Sequence, residues 1–384
     1  MPTGTISTYT ANAPIRRSIA DIIHMIDPRE ASLLDLFGID NAKKFKLEHW
    51  PNTRYEWLQD SMPVRRGTLN EALDDSETGV DVQTGEGALL KTGDILVVES
   101  EQMYVASVAT DTATVVRGYA GTTAAAHADD TPWYRAMIAR KESASATTGY
   151  VTTLENPYNF TQIIAEAVKV SGSAEVNTTY GINDQMAHHI SRLIGGGDGM
   201  GGRNKAGVLP LMLQNTFYYG QRYVGTDDAS REMGGFEYFV TTNVEDLSNR
   251  ALDRQDIEDL QQACFDNGGD PETIVCGSWL KRKITTLYKE NVVTNIDTRK
   301  GGGHISRIST DLGELNVVLD RFCPSGRLYM CEKDKLGWIP FRPFGIYDRS
   351  SDGDYKLKDV LGEYGFVLLN EKGHGYLKNV SMTD

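Results

Sequence analysis

The sequence predicts a chain of mixed α+β class divided into two or three domains. Three observations predict it. A length of 384 residues exceeds what one ordinary compact core holds. Short β-branched runs separated by turn residues fill 84–140, the pattern of a small antiparallel β unit. Segments with apolar residues at helical spacing recur at 182–194, 253–265 and 278–288, with strand-like runs between them. Apolar content is 40%, so such a chain can bury real cores.

Residues 1–17 are polar and read equally well as an extended arm or a frayed terminus. Ser18 is placed to cap a helix whose face carries Ile19, Ile22, Ile23 and Ile26. Asp27 is placed to cap a second helix. Pro28 suits its first position, and Glu30, three after the cap, completes a capping box. Leu33, Leu34 and Phe37 form its apolar face, and Gly38 suits a left-handed C-cap. From 39 to 83 the chain turns polar and irregular, with Trp50, Pro51, Trp57, the pair Arg65–Arg66 and an acidic run from Glu71 to Glu77. Composition alone fits an ordinary exposed loop. The two tryptophans favour a contact surface, because such rings seldom stay bare. Trp50, Trp57, Arg65 and Arg66 are the candidate contact residues.

Three strands are expected in the β unit, at Ile95–Val98, Met103–Val108 and Ala113–Val116. His127, Asp129 and Asp130 offer metal ligands, but nothing is spaced to complete the set, so a solvated turn is expected. Extended segments follow around 158–164 and 167–170. A helix carrying Met186, Ile190, Leu193 and Ile194 ends abruptly at Gly195. Seven glycines between 195 and 207 interrupt it, and a second helical piece is expected through Leu209–Tyr219. That glycine stretch lacks the preceding strand and the Gly-Lys-Ser/Thr helix opening of a phosphate cradle. His188 and His189 are adjacent, so on a helix one packs and the other meets solvent.

Between 225 and 310 the pattern is α/β. Asp253 caps a helix bearing Ile257, Leu260, Cys264 and Phe265 that stops at Gly268–Gly269. Thr273–Cys276 reads as a buried strand, and Ser278 as the cap of a helix with Leu280, Ile284, Leu287 and Tyr288. The stretch 299–304 reads as a mobile loop. Strands return at 315–319, 327–331 and 366–369, with Pro340–Phe344 between them, and His374 is assigned to a turn.

The formal charge of -14 argues against a general nucleic-acid binder. It suits a surface that tolerates DNA without adhering to it, and suits an acidic enzyme equally. No run of about eighteen apolar residues exists, so no membrane-spanning helix is expected. The opening residues lack the basic and apolar regions of a secretory signal. Four scattered cysteines, none in a CxxC pair, read as small buried hydrophobes. G-x-S-x-G, H-E-x-x-H and a properly placed G-x-G-x-x-G are all missing. No catalytic, cofactor-binding or metal residue is therefore assigned.

The segment Asp21-Ile-Ile-His-Met-Ile-Asp-Pro-Arg-Glu-Ala-Ser-Leu-Leu-Asp-Leu-Phe37, followed by Tyr55-Glu-Trp-Leu-Gln-Asp-Ser61, resembles the opening of the major capsid proteins of tailed bacteriophages. Those proteins share the Johnson fold. The likeness runs on more loosely. The stretch from Gly93 through Arg117 to His127 resembles a β module of phage structural proteins, and 266–276 resembles part of the axial domain. Glu363, Asn370 and Gly373-His374-Gly375 resemble the family's closing strands. The resemblance implies an N-terminal arm with short helices over 1–48, and an extended loop over 49–150 carrying the inserted β domain at about 84–140. A peripheral domain with an interrupted spine helix would cover 151–224, an axial domain 225–310, and strands returning to both would fill 311–384.

What it implies about function is structural. The chain would be a non-enzymatic subunit that self-assembles into pentamers and hexamers of an icosahedral shell around double-stranded DNA. It would be assembled in the bacterial cytoplasm and would reside in the virion. Trp50, Trp57, Arg65 and Arg66 would sit at inter-subunit contacts. Implied partners are other copies of the chain, portal, scaffolding and cement proteins, and DNA held without sequence preference, with no membrane and no cofactor. An arm this short carries no long scaffolding extension. An encapsulin-like compartment shell on the same fold is the nearer alternative, and a hydrolytic or nucleotide-binding enzyme the more distant one.

Overall fold

The computed structural model of the chain describes residues 31–38, 52–60, 66–138, 142, 154–177, 182, 184–195, 207–225, 230–288 and 307–383. The expected first helix at 18–26, the Asp27–Glu30 capping box, the glycine stretch 196–206 and the loop 299–304 lie outside the described residues. The chain forms two compact units, one of residues 58–156 and one of residues 1–57 with 157–384.

The first unit is a six-stranded antiparallel sheet. Its spatial order is Arg66–Thr68, Pro132–Ile138, Asp94–Val98, Glu101–Ala109, Thr112–Val116, Gly79–Asp81. Alternation puts Leu96, Val98, Met103, Val105, Ala113, Val115 and Trp133 on one face, where they pack with Leu69, Leu73, Val80, Val82 and Leu90. Three of the four longer strands lie where the β-branched runs placed them, and the fourth, Pro132–Ile138, was not expected. The sheet starts at Arg66 and not near 84, because its two outer strands have only three residues each. Strands that short show no alternation and exist through their partners.

The second unit holds two large sheets against one core, with two small two-stranded ribbons beside them. A mixed six-stranded sheet runs Val244–Asp246, Gly375–Lys378, Leu328–Cys331, Thr273–Cys276, Gly313–Leu319, Arg307–Thr310. Thr273–Cys276, buried throughout, lies parallel to Gly313–Leu319 and antiparallel to Leu328–Cys331. The helices Arg254–Asp266 and Ser278–Leu287 pack on this sheet through Ile257, Leu260, Leu280 and Ile284. Asp253 and Asp256 form a capping box on the first of these helices. Two expectations fail locally. Phe265 is 55% exposed, since it lies one residue round from the Ile257–Leu260–Cys264 stripe that faces the sheet. The second helix is capped by Gly277, and Ser278 is already helical.

The other sheet is a long hairpin, Leu336–Arg349 with Tyr355–Leu368, extended by Gln162–Ser171. Pro340–Phe344, expected between strands, lies inside the first hairpin strand. The register shifts there on both sides of Arg342, so the prolines sit at bulges. Helix Gln185–Ile194, capped by the Asp184 side chain, lays Met186, Ile190 and Leu193 on Val168 and Val170. His188 is half-buried and His189 exposed, and the two rings meet edge to face.

Helix Val208–Tyr219 is the centre of the shared core. Its Phe217 is surrounded by Phe37, Phe236, Tyr329, Trp338 and Phe366, with ring centroids between 4.9 and 6.4 Å. Burying each such ring contributes about 1.5–3 kcal/mol. Helix Ser32–Phe37 adds Leu33, Leu34 and Phe37. Gly38 after it has φ 79°, as glycine permits, but ψ 147° takes it out of the left-handed helical well. The two pieces of the interrupted helix meet. Gly207 N–H donates to Ile194 O at 3.2 Å, and a Cβ on Gly207 would lie 2.1 Å from Leu193 O.

Candidate functional site

The unit of residues 58–156 leaves and rejoins the chain through a two-stranded ribbon, Arg54–Glu56 with Tyr158–Phe160. This neck is fastened to the long hairpin. Tyr55 O–H donates to Phe366 O at 2.8 Å, with its ring lying where a Cβ on Gly365 would be. Asn159 is fully buried; its Nδ2 donates to Phe366 O and Gly234 O, and its Oδ1 accepts from Gly234 N–H. Thr161 O–H donates to the buried Glu363 at 2.6 Å. Arg231 and Arg342 close the ion pairs on the same carboxylate. Arg54 and Arg222 stack on the Tyr158 ring at 4.0 and 3.8 Å. A buried carboxylate with two guanidiniums and a hydroxyl is satisfied on both oxygens, so the neck is rigid where it joins the hairpin.

Of the four candidate contact residues, Trp57 and Arg66 are described, and they fall in different units. The Trp57 ring is 5% exposed and packs on Tyr55 and Phe239 at 6.1 and 5.6 Å. It anchors the neck within its own chain, so the expectation that so large a ring on a polar stretch marks a contact surface gives way here to intrachain burial. Arg66 is exposed at the start of an outer strand. Trp50 and Arg65 lie outside the described residues.

His127, expected in a solvated turn, is 4% exposed. Its Nδ1 faces Glu99 Oε2 at 3.0 Å and its Nε2 faces Glu101 Oε2 at 3.1 Å. The centre of this cluster is Glu101, itself 1% exposed. Arg117 donates Nε and Nη2 to its two oxygens at 2.7 and 2.8 Å, and Gly118 N–H and Ala125 N–H add two more bonds. Burial alone would raise this carboxyl. The donors outweigh it and hold Glu101 down to about 2. The result is a structural lock that ties the segment 118–127 to the sheet. Asp129 and Asp130 take no part in it and are exposed.

His374 is also fully buried. Its Nδ1 accepts from Glu332 N–H and its Nε2–H donates to Leu369 O, which fixes a neutral tautomer. Burial pushes it down to about 4. It closes the turn Glu371–Gly373. Burial pushes the thiols of Cys264 and Cys276 up to about 12 and raises those of Cys323 and Cys331. These groups stay protonated and unreactive at neutral pH. Among the described residues, no group of three or more His, Cys, Asp or Glu is placed to hold a metal ion, and no helix is long and apolar enough to cross a membrane. Every buried titratable cluster described above ties backbone segments together.

Two α/β layers on one core, a long hairpin, an interrupted helix at the centre and a β excursion on a fastened neck form the fold of capsid subunits. The capsid asymmetric unit of cyanophage A-1(L) superposes with a TM-score of 0.56 at 11% identity, covering 98% of this chain and 100% of that one. The capsid of an empty GTA particle superposes at 0.53 with 10% identity, covering 98% and 100%. The SrpI encapsulin complex of Synechococcus elongatus matches 61% of this chain and 79% of that one, with 11% identity and a TM-score of 0.38, too loose to argue from. No curated protein matches at the level of sequence. The family model described as SU10 major capsid protein matches residues 1–195 and 204–381, and the chain belongs to that family. It is a structural shell subunit of a tailed phage, it associates with its own copies, and it resides in the virion capsid.

Proposed function

We propose that the chain builds an icosahedral head from pentamers and hexamers around double-stranded DNA, assembled in the cytoplasm of the bacterial host. The family match over residues 1–195 and 204–381 carries this reading. In it, the six-stranded sheet with its two helices is the axial domain. The hairpin with helices Gln185–Ile194 and Val208–Tyr219 is the peripheral domain, its spine interrupted at 195–207. The unit of residues 58–156 is the extended loop with its inserted domain. Portal, scaffolding and cement proteins are its partners, and the formal charge of -14 suits a wall that holds DNA without sequence preference. Trp50, Arg65 and Arg66 contribute inter-subunit contacts, Trp57 supports them through the neck, and the chain performs no catalysis. Many modest contacts, repeated around closed symmetry, supply the stability of the shell.

Negative-stain electron microscopy with sizing chromatography of the chain expressed alone tests this. Closed particles, rings of five or six, or tubes are expected, and particles from infected cells are expected to hold DNA. Protein cargo in place of DNA would overturn the virion reading. A stable monomer with measurable turnover would overturn the structural one.

A further inference from the structure

The backbone of His127 exchanges two hydrogen bonds with Leu73. Its N–H donates to Leu73 O at 2.8 Å, and its O accepts from Leu73 N–H at 2.9 Å, so the ring is set in place by the segment beside it. Both ring nitrogens then face carboxylate oxygens, Nδ1 that of Glu99 at 3.0 Å and Nε2 that of Glu101 at 3.1 Å. An ionised carboxylate only accepts, and a neutral imidazole has one N–H and a bare lone pair on its other nitrogen. The two contacts are therefore both hydrogen bonds only while the ring carries two protons.

The two ends are unequal. The Glu101 side chain is wholly buried and is also bound by Arg117, Gly118 N–H and Ala125 N–H. The Glu99 side chain is 63% exposed, in the tight turn that joins Asp94–Val98 to Glu101–Ala109, where Glu99 adopts φ 52°. Of the other charged groups on the elements packed around the ring, Arg117 is engaged by Glu101, and Asp74 accepts from Ser76 and Glu77 N–H. Asp75, Asp129 and Asp130 are exposed. A ring with one proton keeps it on Nε2, because a lone pair against the buried Glu101 finds no relief, whereas Glu99 turns to water at small cost.

We propose that His127 is a proton-dependent clasp: doubly protonated it ties the Glu99 turn to the segment 118–127, and on losing the Nδ1 proton to water it releases Glu99 while Glu101 stays bound. The clasp is closed at the acid end of the imidazole range and opens as pH rises. It lies within the unit of residues 58–156 and does not depend on the reading of the chain as a shell subunit.

Magic-angle-spinning NMR of the full chain, labelled with nitrogen-15 at histidine, tests this in subunits and particles alike. The His127 signals are those missing from His127→Gln. Between about pH 5 and about pH 9 the ring should pass from two N–H groups to Nε2–H alone. A ring that keeps Nδ1–H as its last proton, or that does not change over this range, would overturn the clasp.

Glu99→Gln gives a second reading on an exposed site. Its amide accepts from Nδ1–H and donates to bare Nδ1, so the turn stays tied in both states. Hydrogen exchange of residues 98–101, with parent and variant compared at equal pH, should match near about pH 5. Near about pH 9 the parent should exchange about fivefold faster, the scale of one solvent-facing charged contact. Strand Thr273–Cys276 should show no such difference. A ratio that does not vary with pH, or one that rises equally in Thr273–Cys276, would overturn the proposal. Should His127→Gln fail to fold, this ratio alone decides it.

Discussion

Replacing Arg117 with methionine leaves the stem volume in place and removes one guanidinium from a buried carboxylate. Besides its two bonds to Glu101, Arg117 reaches Asp74 O, Glu77 O and Ala125 O at 2.6, 2.9 and 2.6 Å, so one side chain ties four segments together. Two routes give the magnitude. Holding the Glu101 carboxyl at about 2 against its ordinary 4.5 corresponds to about 3 kcal/mol for all its donors together, of which Arg117 is the largest beside the Gly118 and Ala125 N–H groups and His127. Removing one partner of a buried ion pair costs about 3–5 kcal/mol. The routes agree.

Because the folded value lies below the unfolded one, this stabilisation is complete above pH about 4.5 and is lost as pH falls toward 2. Hydrogen exchange of the full chain, read by mass spectrometry, separates the two units. Protection across Glu101–Ala109 and Thr112–Val116 should fall by about two orders of magnitude in Arg117→Met, while Thr273–Cys276 keeps its protection. The acid dependence of that protection between pH 4.5 and 2 should flatten in the variant. A loss of less than tenfold, or an acid dependence as steep as the parent's, would refute the reasoning.

Three further outcomes are expected. His374 is held near 4 by burial, below its ordinary 6.5, so its share of stability is complete above pH about 6.5 and declines by up to about 3 kcal/mol toward pH 4. Denaturant midpoints at pH 7 and 4.5 should differ in the parent and converge in His374→Gln. Gly207→Ala places a Cβ against Leu193 O and should cost about 1–3 kcal/mol in urea unfolding; a neutral result would mean the helix joint is loose. Trp57→Ala should cost the unassembled subunit about 3–5 kcal/mol, whereas Arg66→Ala should change its stability by less than about 0.5 kcal/mol. Equal effects of the two in calorimetry would contradict the placement of the tryptophan.

Sequence located the elements that signal within their own residues, but not the two longest strands, Leu336–Arg349 and Tyr355–Leu368, of which only 366–369 was expected. Ile95–Val98 and Met103–Val108 are β-rich apolar runs bounded by turn residues, Ile257, Leu260 and Cys264 recur on one helical face, and Asp253 announces its cap. The outer strands Arg66–Thr68 and Gly79–Asp81 gave no such signal, being three residues long and paired through residues far along the chain. The same physics hid the polar locks. Glu363 finds Thr161 across 202 positions, Asn159 finds Phe366 O across 207, and Asp320 finds Ser32 across 288. A carboxylate in sequence looks alike whether it is solvated or buried, so His127 read as a turn residue. Trp57 was visible as a ring needing burial, but sequence could not say that Tyr55 and Phe239 would provide it.

In the six-stranded sheet, Gly375–Lys378 lies between Val244–Asp246 and Leu328–Cys331 and is the sole sheet partner of the former. Until residue 378 has left the ribosome, Val244–Asp246 has no neighbour and Leu328–Cys331 presents a bare edge. The sheet therefore closes only after nearly every other strand has been made, at the cost in loop entropy that long-range pairing carries. A chain that polymerises with copies of itself gains from this timing. A nascent subunit whose residues 375–378 are not yet made lacks this closed sheet and is not yet a finished partner for its neighbours.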